Sequence, residues 1–555
     1  MSNKPIMGFP ATSQDDYQLN VTRILQHAAR SFGRQEVVSI KLDGTKRRFT
    51  YSEIYGRVKR LANALTGLGA GIGDRIGVLD WNSHRHLEAY FGIPGLGSVL
   101  LLLNIRLTPA DLGYVVNHAE AKYILVDETL LPLAEAIAGQ CPTVKGYIIL
   151  TDKPLSEINT KLSPIYHYET LLKDAKEDID WPNLNERSAY GACYTTGTTG
   201  RPKGVYYSHR NVCLHAMAIG TNAEMTSRDC YYQLVPMFHA LGWGMPQAAF
   251  LIGVKYVLPG MYNIMDLGSL AEPLVSEGVT VSAGAPALFM PMLEYIRKLD
   301  KKPDLTGARF LSGATEPSLT LMKDYFNLTG AEIVHAYGAT ETTPLVTVNK
   351  LKPWLENELS DDEKWDLKRK QGYPVVGLDV KIVDHMDKEL PHDGKSPGEI
   401  LVRGPWITGS YYNAPGSESQ FTEDGYWRSG DAGTMDAECY IKITDRVKDL
   451  IKSGGEWISS VDMENETMAH PAVLEAAVAG VAHPKWEERP VVLAVLRPEH
   501  KGKITKEDIV AHLAKKFAKW QLPDEVVFVD AIPKTSVGKF DKKVIREQYK
   551  DIYQS

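Results

Sequence analysis

A chain of 555 residues, 44% hydrophobic and 24% charged, has ample material for a buried core and the length of about three or four ordinary domains. Its net charge of -7 offers no basic face for nucleic acid, so anionic ligands must be met by charge placed locally. The five cysteines, Cys141, Cys193, Cys213, Cys230 and Cys439, are scattered without a C-x-x-C pair, so neither a disulfide framework nor a zinc site is indicated and a reducing cytoplasm fits best.

The first twenty residues are polar and acidic where a secretory leader would be apolar. In TYSEIYGRVKRLANALTGLGAGIGDRIGVLD, the spacing of Ile54, Val58, Leu61 and Leu65 predicts a helix, the glycines its end, and Ile76 to Leu79 a strand. SVLLLLNI, from Ser98, is too short for a membrane span and reads as a buried strand or helix. The alternation continues through AEAKYILVDE, LLPLAEAIAGQ and VKGYIILTD, and later through LAEPLVSEGV and TVSAGAP. Alternating helices and apolar strands predict an α/β body with parallel sheets.

The charged run from Lys352 to Lys370 predicts a solvated helix or loop. From Val380 the pattern shifts to short strands between Gly and Pro turns, a β-rich subdomain over roughly 375–445. After Arg446 a compact region mixes strands with the helix-like EDIVAHLAKKF. The expected division is a large N-terminal domain, 1–445, and a small mobile α+β domain, 446–555.

Residues 194–204 read YTTGTTGRPKG. Glycines let main-chain N–H groups approach a ligand, the hydroxyls of Thr195, Thr196, Thr198 and Thr199 donate further bonds, and Lys203 adds a point charge. Together they describe an anion cradle, although Pro202 before Lys203 and Gly204 after it break the Walker pattern, which ends Gly-Lys-Ser/Thr. A plain surface loop would use the same residue types.

Four more stretches accompany it: HAYGATETTP (335–344), GYWRSGDAG (425–433), DRVKDLIKSGGEWISS (445–460) and PKTSVGKFDKK (533–543). In this order the five resemble the adenylate-forming superfamily of acyl-CoA synthetases, peptide-synthetase adenylation domains and luciferases, over nearly the whole chain. VPMFHALGWGMP, GPWITGSYY and FAKWQLPDE are most similar to bacterial and archaeal medium- to long-chain fatty-acyl-CoA synthetases.

The resemblance implies that ATP and a carboxylic acid form an acyl-adenylate, which coenzyme A converts to acyl-CoA. It implies that Thr195, Thr196, Gly197, Thr198, Thr199, Gly200 and Lys203 hold the outer phosphates, with Gly313, Ala314, Tyr337 and Gly338 around adenine. Thr340 would bond the α-phosphate, Glu341 would bind Mg²⁺, a hard cation suited to carboxylate oxygen, and Asp431 and Arg446 would hold ribose or phosphate. Without the other motifs, Tyr337 reads as core packing, Glu341 as a helix N-terminal charge and Asp431 as a turn residue. Lys539 would stabilise two anions brought together in adenylation. Rotation at Lys448 would then bring Gly454, Gly455 and Trp457 to the coenzyme A tunnel.

By the same resemblance His239 lies beside the acyl carboxylate, Trp243 gates the acyl tunnel, and Ala285 and Ser312 wall the acyl pocket. Ser312 stands where near relatives carry glycine, so added bulk and a hydroxyl suit a shorter or hydroxylated acid. An adenylation enzyme loading a carrier protein is the alternative, although no LGG-x-S carrier segment follows. The absence of G-x-S-x-G disfavours a serine hydrolase. A homodimer is the expectation from relatives.

Overall fold

The helix expected from the Ile54 periodicity spans Tyr51–Gly67, buries Ile54, Val58, Leu61 and Leu65, and starts in a capping box in which Thr50 and Glu53 satisfy each other's main-chain N–H groups. The strand expected after it is Arg75–Leu79. This computed structural model describes residues 6–13, 16–195, 201–263, 265–384, 386–447, 449–454, 456–534 and 540–553. They fall into two compact units, Met1–Asp379 with Val402–Trp427, and Val380–Leu401 with Arg428–Ser555.

Two sheets build the first unit. One has seven strands in the order Ile165–His167, Tyr147–Leu150, Ala121–Asp127, Arg75–Leu79, Val99–Leu102, Ala189–Tyr194, Gly204–Ser208, parallel except for the last, which turns back as a hairpin. SVLLLLNI supplies the wholly buried strand Val99–Leu102, which explains its unbroken apolar run.

The other sheet has nine strands. Glu36–Ile40, Lys255–Leu258, Cys230–Tyr232, Val281–Gly284, Arg309–Ser312 and Glu332–Gly338 run parallel, with antiparallel edges at Lys46–Thr50, Leu345–Val348 and Tyr373–Pro374. Parallel strands all finish at the same rim, where open α/β sheets place ligands. The segments after Gly284, Ser312 and Gly338 start there. The charged run forms two helices, Leu355–Glu358 and Asp361–Arg369, the second capped by Ser360 and Glu363 and burying Leu367.

In the second unit the sheet Glu456–Ile458, Ile451–Ser453, Glu487–Leu496, Val473–His483 is joined by Glu525–Phe528, parallel to Glu487–Leu496. Helices Ser460–Ala469, Lys506–Leu513 and Lys542–Gln548 bury Met463, Ile509, Leu513 and Ile545. A four-stranded sheet, Asp379–Val383, Gly398–Arg403, Trp427–Met435, Ile441–Arg446, is the β-rich segment expected from the turns. Most of it groups with the C-terminal residues in this structure, whereas the sequence divides the chain after 445. The physical reason is that Thr444 and Asp445 are hydrogen-bonded to Ser459 and Ser460.

Among the described residues no helix is long and apolar enough to cross a membrane. Cys141, Cys193, Cys213 and Cys230 are buried, and burial pushes the Cys193 thiol up to about 12, far from thiolate reactivity.

Candidate active site

The antiparallel strands Ala189–Tyr194 and Gly204–Ser208 flank the Thr/Gly stretch. Its base is closed twice: the Thr195 amide donates to the Lys203 carbonyl at 2.9 Å, and the Lys203 amide donates to Thr195 Oγ1 at 3.1 Å. The segment 404–412 docks beside it through the Tyr412 amide, which donates to the Gly204 carbonyl at 2.9 Å.

That docking brings together residues far apart in sequence. The Tyr411 phenol donates at 2.7 Å to Glu341 Oε1, and the Thr408 amide donates at 2.8 Å to the Glu341 carbonyl. Lys203 Nζ stands 4.8 Å from the centroid of the Tyr411 ring. Tyr207 donates at 2.6 Å to the Thr340 carbonyl, tying the hairpin to the turn that carries Glu341. Burial, and then the neighbouring Glu341 carboxylate, hold the Tyr411 phenol well above its ordinary range, so it remains a donor at any working pH. Lys203, Thr340 and Glu341 are thus linked into one cluster through Tyr411 and Tyr207.

Tyr337 and Gly338 end the strand Glu332–Gly338. A Cβ on Gly338 would sit 1.7 Å from the Pro344 carbonyl oxygen, so only glycine lets the chain fold back to present Thr340 and Glu341. Thr340 lines a narrow recess with Tyr194, Phe238, His239 and Asn104, which puts His239 at its border. His239 is exposed, and its carbonyl accepts from the Gly242 amide at 2.9 Å.

Beyond His239 the backbone is left-handed: Leu241, Gly242 and Trp243 have φ near 50–57°, and Gly244 has φ 72°. Left-handed backbone at residues other than glycine costs about 1–2 kcal/mol each and is concentrated where function fixes a side chain. Here the turn lays Trp243 against Gly313. A Cβ on Gly313 would lie 2.7 Å from the indole, so the glycine and the tryptophan define each other. Ala314 continues with φ 70°. Ala285, half-buried, caps the helix Pro286–Lys298 at the same rim. Ser312 is fully buried, and its Oγ has no hydrogen-bond partner among the described residues.

In the second unit Asp431 and Arg446 face each other across the strands Trp427–Met435 and Ile441–Arg446, with Arg446 Nε 2.9 Å from Asp431 Oδ1. Gly454 has φ 62° and donates its amide to the Trp486 carbonyl at 3.0 Å. The backbone of Trp457 pairs with Lys452. Thr196, Gly197, Thr198, Thr199, Gly200, Lys448, Gly455 and Lys539 lie outside the described residues.

Sequence reasoning passed over Tyr411, although GPWITGSYY carries it, because its link to Glu341 crosses 70 positions. It also passed over His118, whose Nδ1 lies 2.9 Å from Tyr194 Oη and whose Nε2 lies 3.2 Å from the Asn413 carbonyl.

Residues 25–412 match the family model of AMP-binding enzymes, and residues 462–539 match that of the AMP-binding enzyme C-terminal domain. The chain belongs to the AMP-binding enzyme family. It is 44% identical to a long-chain-fatty-acid–CoA ligase of Thermus thermophilus, over 100% of this chain and 99% of the relative. A medium-chain-fatty-acid–CoA ligase of Ectopseudomonas oleovorans is 38% identical, with 96% and 97% covered. Among solved structures, ATP-bound MatB from Rhodopseudomonas palustris superposes with a TM-score of 0.79 at 26% identity, covering 96% of this chain and 100% of that one. An anthranilate CoA ligase bound to anthranoyl-AMP shares the fold at a TM-score of 0.82 and 24% identity, with 97% and 99% covered.

Proposed function

We infer that this family member is an AMP-forming acyl-CoA ligase acting on fatty acids. The carboxylate of the acid attacks the α-phosphorus of ATP, the bond to the bridging oxygen breaks, and pyrophosphate leaves. The thiol of coenzyme A then attacks the acyl carbon and AMP departs. The observation that carries this reading is the clustering of Lys203, Tyr411, Glu341 and Thr340 at the base of the Thr/Gly hairpin.

Lys203 and the hairpin hold the outer phosphates as the leaving group gains charge, which is where fixed cations and N–H donors lower a barrier. Thr340 bonds the α-phosphate, and Asp431 and Arg446 hold ribose or phosphate. Glu341 fits Mg²⁺, since this ion is held by one or two carboxylates together with substrate phosphates, and Tyr411 fixes where that carboxylate points. Bound there, Mg²⁺ would neutralise phosphate charge.

Lys539 stabilises the approaching carboxylate and α-phosphate. In the same proposal residues 446–555 turn about Lys448 between half-reactions, so that Gly454, Gly455 and Trp457 border the coenzyme A path. His239, Trp243 and Ala285 line the acyl side, with Gly313, Ala314, Tyr337 and Gly338 around adenine. A homodimer through 1–445 and a cytoplasmic setting complete it, the first read by sedimentation.

Ser312 favours a second reading of the substrate. A buried hydroxyl without a partner is satisfied by a polar group on the acid, as in a short or hydroxylated substrate. The deciding experiment measures AMP release with Mg-ATP across acids from acetate to palmitate, hydroxy acids included, with and without coenzyme A. Coenzyme A-dependent turnover on fatty acids is the expected result. Preference for hydroxy acids would move the substrate to the second reading, and adenylation without transfer to coenzyme A would point to a carrier protein.

A further inference from the structure

A buried ionic cluster in the second unit has no part in the chemistry above. Asp445 is 2% exposed and Glu464 7%, and the Lys542 ammonium lies 3.0 Å from Glu464 Oε1 and 4.0 Å from Asp445 Oδ1. Lys542 donates to Ser460 Oγ, whose own hydroxyl donates to Asp445 Oδ2, and the Ser460 amide reaches the same oxygen at 2.8 Å. One turn further along the helix Lys542–Gln548, Arg546 pairs with Asp449 at 2.6 Å.

These contacts are unevenly divided about position 448. Glu464, Lys542, Arg546 and Asp449 all follow it, and only Asp445 precedes it. Two milder contacts also cross it: Ser459 Oγ donates to the Thr444 carbonyl at 2.5 Å, and Lys442 Nζ lies 3.1 Å from Asp462 Oδ1. A turn of the chain at 448 would withdraw Asp445, Thr444 and Lys442 together. Lys542 would keep Glu464, and Glu464 would keep the Val478 amide at 2.8 Å. Stripping a buried ion of its partner is strongly unfavourable, and here the ammonium that stays behind retains one carboxylate while Asp445 leaves with its own strand. The cluster is thus built to open from one side.

We propose that Asp445, Ser460 and Lys542, with the exposed Lys442–Asp462 pair, form a latch that holds the strand Ile441–Arg446 on the helices Ser460–Ala469 and Lys542–Gln548 during one half-reaction and releases it for the other. These are positioning residues and touch no reacting atom. The proposal rests on the rotation inferred above, and its test separates the two.

Lys442→Asp sets like charges against Asp462, and the swap Lys442→Asp with Asp462→Lys restores the pair; Lys442 is exposed and Asp462 half-buried in the first turn of its helix, and neither is part of the buried cluster. Single-turnover rates of acyl-AMP formation and of acyl transfer from supplied acyl-AMP to coenzyme A are measured in each, beside tryptic cleavage between residues 446 and 452. The expected result is that Lys442→Asp changes the ratio of the two rates by about two- to fivefold, the scale of an exposed ion pair, speeds the cleavage, and is reversed by the swap. Asp445→Asn should move the ratio further, by about tenfold, because it weakens bonds to a buried charge. Equal loss of both rates, or a ratio and cleavage rate unmoved by Lys442→Asp and Asp445→Asn, overturns the latch while leaving the ligase intact. Failure of the wild-type chain to make acyl-AMP overturns the ligase reading and with it the half-reactions the latch would serve, whereas normal acyl-AMP formation with the rate ratio unmoved overturns the latch alone.

Discussion

Glu341 and Asp445 are both carboxylates fixed by hydroxyl donors, yet they are built for opposite ends. Glu341 is half-buried and takes a hydrogen bond from the Tyr411 phenol, a contact that sets its direction without cancelling its charge. Asp445 is buried and saturated by a serine amide, a serine hydroxyl and a lysine. Burial raises Asp445 above the usual carboxylate range, with Lys542 pulling it back. The contrast is between a carboxylate oxygen aimed by a phenol and a carboxylate buried beside a lysine, and the two should answer differently to substitution.

The largest test of that contrast is Glu341→Gln, which keeps the shape and removes the charge. The adenylation rate should fall by about 10²–10³-fold, as when a group aimed at developing charge is lost, with little change in unfolding midpoint. Lys542→Met should do the reverse. It leaves Glu464 and Asp445 buried without their cation, and a loss of about 3–5 kcal/mol of stability is expected in denaturant unfolding of the second unit.

Tyr411→Phe sharpens the comparison within the site. Losing a hydrogen bond to a charged group is worth about 1.5–3 kcal/mol, so an adenylation rate about tenfold lower, with a raised requirement for Mg²⁺, is expected if the phenol aims the carboxylate. An unchanged Mg²⁺ dependence would show that Tyr411 only packs.

A separate test concerns a third carboxylate, Asp80, whose burial outweighs the pull of the Arg85 guanidinium. Complete burial, then the nearby Asp127, pushes its carboxyl up to about 8. The native state therefore binds a proton that the unfolded chain releases near pH 4, so this contribution is fully present below about pH 4 and is lost as pH rises through about 8. Asp80→Asn should raise the melting temperature more at pH 8.5 than at pH 4. An equal shift at both would remove Asp80 from the account.

Much of this was legible in the sequence because it rests on short-range pattern. The period of Ile54, Val58, Leu61 and Leu65 specifies the helix Tyr51–Gly67, the apolar run at Val99 marks a buried element without choosing strand over helix, and the Gly/Thr composition marks an irregular stretch after the strand Ala189–Tyr194. Glu341 and Lys203 were legible as types of chemistry. The resemblance also placed both on one Mg-ATP, but Tyr411, which links them in the structure, was not legible, because it joins them through tertiary docking that leaves no periodicity. The ionic cluster was equally hidden: Asp445, Ser460, Glu464 and Lys542 are ordinary surface residue types, and only packing shows them buried. The left-handed turn is a third such case, since ALGWG has glycine at only two of the positions with positive φ, while Ala240, Leu241 and Trp243 adopt it against their own preference.

That turn has a consequence for any attempt to toughen the protein. A selection for heat resistance rewards removal of unfavourable backbone, and glycine or asparagine at 241 or 243 would remove it most directly. At 241 the exchange surrenders a buried leucine, and at 243 it surrenders the indole that rests on Gly313. Directed evolution for thermostability should therefore find gains at 243 that undo the packing on Gly313, and if Trp243 borders the acyl side as proposed, a library screened for acid selectivity as well should hold tryptophan there while its gains accumulate in other segments.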